Sequence, residues 1–557
     1  MKLLKKPWVA LLLITFFAFG QRFFNISSNP PALNWDEVSH GYNALSILKT
    51  GADEWGVRFP LIFKAFGDYK LPLYIYLTAI PVYFLGLTTT AVRLVSVLAG
   101  TLAIPGIYLL TNQLFPKKKS LPFLVAFLLA INPWHFFISR PALEANLALT
   151  LIIFGFYCLL KAFKNPKFYL PSSILLGLSL HTYNVSRVFV PLLLIIFFII
   201  YRPKFKFDLV RTISVAIITL FFSIVAYQVF SGSGTARYSK ISILSDSAVY
   251  QLGLSRADSS LPPLLAKLRF NRPIYFLSEF AKYYLSYFSP NFIYQSQGAQ
   301  YQFAIPGKNL FTLPVSILSL IGGLYLLLKE RSKSTYLLFS WLLLSPVGAA
   351  LTADPPQAIR PNPMIPAVII LASIGFYWVV SLFKKRRWAQ VAISVSLILS
   401  CLLGYIRYLD SYYQEYQTKY AWSWQYGHEE TLEYIEENKD DYDRVIFTKY
   451  YGEPHIFYAF FTNLDPKNLQ PGGDNIRFKK TDWFWTDRVN TTYFVNDWEI
   501  PKLLEDTLPL ESGGQVALED SLLVFSPQSL PQNVKILKTI SFQNDLPVFY
   551  IAILDKD

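Results

Sequence analysis

Leu71-Pro72-Leu73-Tyr74-Ile75-Tyr76-Leu77-Thr78-Ala79-Ile80-Pro81-Val82-Tyr83-Phe84-Leu85-Gly86-Leu87 is the stretch on which the fold turns. Apolar almost throughout, it reads at first as a membrane span. Two further apolar stretches follow, 91–113 and 121–139, with Lys117-Lys118-Lys119 between them. If all three crossed the bilayer, that lysine cluster would face outward, against the tendency of basic loops to stay on the cytoplasmic side. Residues 71–87 are the shortest of the three and carry Pro72 and Pro81, so they are assigned as a helix lying in the outer interface, apolar side down.

With that assignment the other basic clusters fall on the cytoplasmic side: Lys2, Lys5 and Lys6; Lys161, Lys164 and Lys167; Arg202, Lys204 and Lys206; Lys329, Arg331 and Lys333; and Lys384 to Arg387. Eleven spans result, at about 8–24, 91–113, 121–139, 143–163, 168–182, 188–202, 209–230, 310–328, 334–352, 364–383 and 388–408. The first has a basic start and an apolar middle like a signal peptide. Its Phe-rich exit lacks a small-residue cleavage pattern, so it is read as a retained span. With the basic N-terminus in the cytoplasm, an odd count places the C-terminus outside. Residues 1–409 then form a transmembrane domain, with outer loops at 25–90 and 231–309, and residues 410–557 form a small extracytoplasmic α/β domain. Alternating runs at 444–448 and 548–553 read as strands, and 428–437 as a helix.

Composition agrees with a polytopic α-helical membrane protein: 53% of residues are hydrophobic and only 16% charged. A net charge of +14 would suggest nucleic acid in a soluble chain, but here the cations mark topology and no nucleic-acid partner is expected. Cys158 and Cys401 lie in apolar runs, as buried small hydrophobes do.

The residues able to do chemistry gather on the outer side. Asp36 and Glu37 open a helix just after the first span. The helix dipole favours acids there; a carboxylate in that place can also serve as a general base toward an acceptor hydroxyl. Glu144 stands at the outer turn between two spans, four residues after Arg140, where a helical ion pair is the competing reading. Lys70 heads the interfacial helix; it could snorkel to headgroups or hold an anion. Arg93, Arg140, Arg187 and Arg360 are also predicted outside, against the charge trend. A phosphate at the outer surface would account for cations there, since Arg and Lys give charge-assisted hydrogen bonds to its oxygens. His40, Tyr42, His181, Tyr183 and Arg187 are expected to line a polar substrate cavity. No two histidines have metal-ligand spacing, so no metal site is assigned; no cofactor is implied, and a divalent metal is left open.

These residues form an ordered series that resembles the integral-membrane glycosyltransferases of GT-C fold, of the family 39 type that includes bacterial relatives of protein O-mannosyltransferases and aminoarabinose transferase. The series runs from Asp36-Glu37 through Lys70 with Pro72-Leu73-Tyr74 and Ala91-Val92-Arg93-Leu94. It continues with Asn132-Pro133-Trp134, Ser139-Arg140 and Glu144, and ends at Ile359-Arg360-Pro361 with Pro363 and Pro366. The resemblance covers residues 1 to about 410 and is strongest between 30 and 160. It departs at Leu71, which stands at a family proline, and at Tyr69, where aminoarabinose transferases have a glutamate, so a metal site using that glutamate is not carried over.

The resemblance implies an inverting transfer of a sugar from a polyprenyl-phosphate donor to an acceptor hydroxyl of a lipid, glycan or protein at the outer face of the cell membrane. It implies Asp36 as base, Glu144 as the second outer acid and Lys70 on the donor phosphate; Glu37 is counted with the catalytic acids, and Arg93, Arg140 and Arg360 with the donor-phosphate cations, from their own place in the sequence. The alternative is a transporter or flippase of lipid-linked glycans. That reading expects ionisable groups near the bilayer midplane, whereas these lie at span ends.

Overall fold

The structure is a computed structural model that describes residues 7–202, 208–232, 242–296, 300–353 and 356–555. Lys2, Lys5, Lys6, Lys204 and Lys206 lie outside the described residues. The chain forms two compact units, one of residues Met1–Phe24 with Ser96–Ser411, the other of Asn25–Val95 with Tyr412–Asp557.

The first unit is helical. Helices fall at each of the stretches expected to span: Pro7–Phe23, Thr89–Leu114, Leu121–Ala130 continued by Pro133–Ile138, Glu144–Ala162, Tyr169–Leu180, Ser186–Tyr201, Leu209–Phe230, Leu313–Lys329, Lys333–Leu344 continued by Val347–Ala350, Met364–Ser381 and Arg387–Asp410. Among the described residues, five helical stretches are long and apolar enough to cross a bilayer: Thr89–Leu114, Glu144–Ala162, Leu209–Phe230, Met364–Ser381 and Arg387–Lys419. Two of the remainder are broken where proline removes a backbone donor, at Pro133 and at Pro346. The fold is thus that of a polytopic α-helical membrane protein. Where water cannot drive association, close backbone approach holds helices together. Leu313–Lys329 and Met364–Ser381 cross in this way: a Cβ on Gly322 would lie 1.9 Å from the Leu371 carbonyl oxygen, and one on Gly375 would lie 2.0 Å from that of Leu318.

The second unit combines the first outer loop with the C-terminal piece. Helix Trp35–Thr50 packs on helix Pro72–Leu85 and on helix Pro454–Phe461. Pro72 occupies the first helical turn, where its missing N–H costs nothing, and Pro81 sits inside the helix without ending it. Tyr74, Ile75, Thr78 and Val82 are buried while Ile80, Tyr83, Phe84 and Leu85 are exposed, so this helix is apolar on its outward side as well.

A seven-stranded mixed sheet completes the unit, in the order 534–541, 547–554, 521–525, 444–448, 492–495, 483–489, 475–480. Arg444–Thr448 runs parallel to both neighbours, and the other pairings are antiparallel. Ile446, Val495, Leu523, Phe525 and Ala552 form a core with Leu504, Leu508, Val516 and Leu518. The strands expected at 444–448 and 548–553 and the helix expected at 428–437 are present, the helix as His428–Asn438.

Candidate active site

Within the second unit, one helix start sets the geometry. Asn34 accepts from the backbone N–H groups of Asp36 (2.9 Å) and Glu37 (3.0 Å), and Glu37 Oε2 accepts from the Asn34 N–H at 3.2 Å. This reciprocal cap fixes where the helix begins. Consecutive residues on a helix point about 100° apart, so the two acids are sent in different directions.

Glu37 turns inward and is fully buried. Arg93 meets it side-on, Nε donating to Oε1 at 2.9 Å and Nη2 to Oε2 at 3.0 Å. The remaining Arg93 donors go to backbone carbonyls: Nη1 to Ile26 and Pro30, each at 2.9 Å, and Nη2 to Ala32 at 2.5 Å. All five N–H groups of the guanidinium are therefore engaged, and its face lies 5.8 Å from the Trp424 ring centre. Asp36 turns outward. Its side chain is 45% exposed and accepts from the Lys70 ammonium, itself 8% exposed. Lys70 arrives on a tight hairpin, Phe63–Lys64 against Tyr69–Lys70.

His40 and Tyr42, on the next turn of the same helix, are fully buried. The His40 ring lies 5.1 Å from that of Tyr74, and the Tyr42 hydroxyl donates to the Leu464 carbonyl at 3.4 Å. Burial pushes the Tyr42 phenol well above its ordinary range.

In the first unit, Arg140 is fully buried and donates to the carbonyls of Gln21 (2.9 Å) and Arg22 (3.0 Å). Glu144 is the partly exposed first residue of helix Glu144–Ala162. Arg360 donates to the Thr352 hydroxyl at 2.5 Å. His181 contacts the Phe221 carbonyl at 3.2 Å, Arg187 donates to the carbonyl of Leu180 at 3.0 Å and to the side chain of Gln228, and Tyr183 is half-buried. Residues expected in one site thus come from both units: Asp36, Glu37, His40, Tyr42, Lys70 and Arg93 from one; Arg140, Glu144, His181, Tyr183, Arg187 and Arg360 from the other. Among the described residues, no group of three or more His, Cys, Asp or Glu side chains is placed to hold a metal ion.

Sequence reading missed a buried polar cluster in the second unit. Arg477 Nη2 donates to Glu54 Oε2 at 2.8 Å, and the guanidinium stacks 3.4 Å from the Trp55 ring centre. Lys449 Nζ donates to Asp487 Oδ1 at 2.5 Å. Between these pairs the Glu453 carboxyl accepts from Trp483 Nε1 at 2.5 Å and lies 3.5 Å from His455 Nδ1. Burial pushes the Glu453 carboxyl up to about 8, against the Trp483 hydrogen bond and the positive Lys449 and Arg477, and holds His455 well below its ordinary value, there aided by Arg477 and Lys449. The two neighbours are therefore both uncharged near neutrality. Asp53, beside them, is raised to about 6 by burial, against the pull of the Val57 and Trp55 N–H groups. The signal available in the sequence was charge inside strand-like alternation, at Arg477 and Asp487.

With a helical membrane-spanning unit, a capped acid at a helix start and a lysine set against it, the class of protein can be stated: the chain has the GT-C glycosyltransferase fold. Crystal structures of ArnT from Cupriavidus metallidurans are similar over nearly their whole length. The form bound to undecaprenyl phosphate has a TM-score of 0.55 at 10% identity, covering 98% of each chain, and the apo form has 0.51 at 12%, covering 98% of this chain and 97% of that one. The oligosaccharyltransferase of Archaeoglobus fulgidus in its apo form has a TM-score of 0.51 at 15% identity, covering 83% of this chain; the present chain spans 64% of its length. The sequence model of the family described as dolichyl-phosphate-mannose-protein mannosyltransferase matches residues 70–227. Curated protein sequences give no significant match. The comparisons thus support the GT-C fold, with a family match over residues 70–227.

Proposed function

We propose that the protein transfers a sugar from a polyprenyl-phosphate donor to an acceptor hydroxyl at the extracytoplasmic face of the cell membrane, with inversion. The observation that carries this reading is the Lys70 ammonium set against the half-exposed Asp36 carboxylate. A glycosyl phosphate leaves as an anion, so the reaction needs a cation at the leaving group and a base at the acceptor more than it needs a general acid. In this scheme Lys70 holds the donor phosphate. Asp36 takes the proton of the acceptor hydroxyl as its oxygen bonds to the anomeric carbon and the bond from that carbon to the phosphate oxygen breaks. Charge balances within the pair: the carboxylate gains a proton while the negative charge that develops on the phosphate lies on the ammonium.

The remaining roles are assigned by what each group has left to offer. Arg93, with every donor engaged, organises the loop 26–32 and orients Glu37, so both belong to the frame that presents Asp36. His40 and Tyr42 serve the same frame. Glu144 is kept as the second acid, and Arg140 and Arg360 as donor-side cations, on the strength of the sequence motifs. The basic clusters of the sequence put the N-terminus in the cytoplasm and the reaction outside. That ArnT has been crystallised with undecaprenyl phosphate, and the archaeal enzyme AglB with dolichol phosphate and an inhibitory peptide, supports a polyprenyl-phosphate donor and makes a peptide hydroxyl one acceptor to test.

The test is transfer by purified protein from a panel of undecaprenyl-phosphate sugars to lipid, glycan and peptide acceptors. Transfer from at least one donor, abolished by Asp36→Asn with the protein still folded, is the expected result. Normal transfer by that variant would remove Asp36 as the base.

A further inference from the structure

The Lys70 hairpin and the Asp36 helix start are both fastened to the C-terminal piece of their unit. Ala65 N–H closes the turn onto the Asp68 carbonyl at 3.0 Å, and Lys70 pairs with Phe63 across the hairpin. The tip then meets strand Trp483–Val489: the Phe484 N–H donates to the Phe66 carbonyl at 2.6 Å, and Gly67 lies flat on the Trp483 indole. A Cβ on Gly67 would sit 2.1 Å from that ring, so no other residue fits the turn as it stands.

The indole is held in its turn. Its N–H donates to the buried Glu453 carboxyl at 2.5 Å, and the adjacent His455 ring stands edge-on to Phe66, 6.0 Å between centres. The Asp36 side is fastened in parallel through Trp35. Its backbone N–H donates to Gln425 Oε1 at 2.8 Å, its ring lies 6.1 Å from Phe66, and a Cβ on Gly452 would come within 2.6 Å of it. Trp35 immediately precedes Asp36, and Gly67 stands three residues before Lys70.

We infer that Trp483 and Glu453 are positioning residues through which the C-terminal sheet sets the Lys70 ammonium opposite Asp36. Its consequence for donor binding rests on the function proposed above, while the placement of Lys70 does not. A ring wedged on the glycine and locked by one hydrogen bond fixes the hairpin tip against tilting. Displacing such a group by about 1 Å is enough to cost a reaction a large part of its rate.

The experiment uses the full chain in nanodiscs and reads Lys70 directly, by its acetylation rate with an N-hydroxysuccinimide ester followed by mass spectrometry, and by affinity for undecaprenyl phosphate. Gly67→Ala is expected to raise Lys70 acetylation about fivefold and weaken undecaprenyl phosphate about tenfold in protein that is still folded, though less stable. Adding Trp483→Leu, which makes room for the new methyl group, brings both back toward wild type; such reciprocal rescue is the mark of a direct coupling. Glu453→Ala raises acetylation as Gly67→Ala does, whereas Glu453→Gln, whose amide oxygen still accepts from the indole, does not. Unchanged acetylation in folded Gly67→Ala, or a double variant worse than the single one, overturns the inference. Acetylation that responds while undecaprenyl phosphate binds equally to wild type and Lys70→Ala upholds the positioning and removes the phosphate role of Lys70.

Discussion

Two adjacent carboxylates on one helix turn meet opposite fates, and the contrast separates chemistry from scaffold. Glu37 is fully buried, gripped bidentately by an arginine whose other donors are also engaged. Asp36 is almost half exposed and meets a lysine through one oxygen. A buried, fully satisfied ion pair is costly to break, because removing one member strands the other charge away from water. In the second pair the lysine is mostly buried while the carboxylate is not, so Asp36 can meet solvent and ligands. The first pair therefore holds a shape and the second has groups to lend to a reaction. The local pattern puts both acids at the helix start, and in the sequence only the family resemblance told them apart.

That comparison can be broken from either side. The largest effect expected is on turnover: Asp36→Asn should lower kcat by roughly 10²–10⁴-fold, the usual worth of a positioned base, with little change in melting temperature. Arg93→Ala should act the other way, costing about 3–5 kcal/mol of stability through the uncompensated Glu37 charge, as read by thermal unfolding in detergent. Should Asp36→Asn unfold the protein while Arg93→Ala leaves it stable and inactive, the two roles must be exchanged.

A smaller effect is expected at Lys70. Lys70→Ala should weaken undecaprenyl phosphate by about 10–100-fold, in keeping with the loss of a charge-assisted hydrogen bond worth about 1.5–3 kcal/mol. Titration of the purified protein with undecaprenyl phosphate checks it.

The smallest effect sharpens the contrast at a third carboxylate, Glu453. Its folded value of about 8 lies above its ordinary 4.5, so the native state holds a proton that the unfolded chain releases. The resulting stabilisation is fully present below about pH 4.5 and fades as pH rises through about 8. Glu453→Gln keeps the hydrogen bond and removes the titration, so between pH 5 and 8 its melting temperature should fall a few degrees less than that of wild type. His455 and His428, the latter lowered to about 4 by burial, work oppositely: each destabilises the fold as pH falls below the ordinary histidine value near 6.5. The difference between wild type and Glu453→Gln isolates the carboxyl. Parallel melting curves across that range would show that Glu453 is ionised in the fold.

Much of the architecture was legible from local signals. Each expected span coincides with a helix because some twenty apolar residues in lipid have few alternatives to forming one. The acid-bearing helix was also visible, since adjacent acids suit a helix start; the Asn34–Glu37 capping box was added by the structure. The stretch read as a helix despite Pro72 and Pro81 is a helix, Pro72–Leu85, running through Pro81.

The roles of the cations were not legible. Arg93 and Lys70 read alike as outward positive charges, but the guanidinium is closed on Glu37 and on the carbonyls of Ile26, Pro30 and Ala32, whereas the ammonium is set against the exposed Asp36 carboxylate. Nor did anything near Gly67 announce Trp483, more than four hundred residues away in the chain.

The amino-acid sequence by itself determined where the chain becomes helical, which clusters of charge mark the loops, and that two acids open a helix after the first hydrophobic stretch. Those outcomes follow from hydropathy, capping and charge acting over a few neighbouring residues. Only the tertiary structure decided how Glu37 is locked away, how Asp36 stays exposed and what steadies its lysine. Burial, saturation of hydrogen-bond donors and ring packing are set by residues that chain order keeps far apart, so no local pattern encodes them.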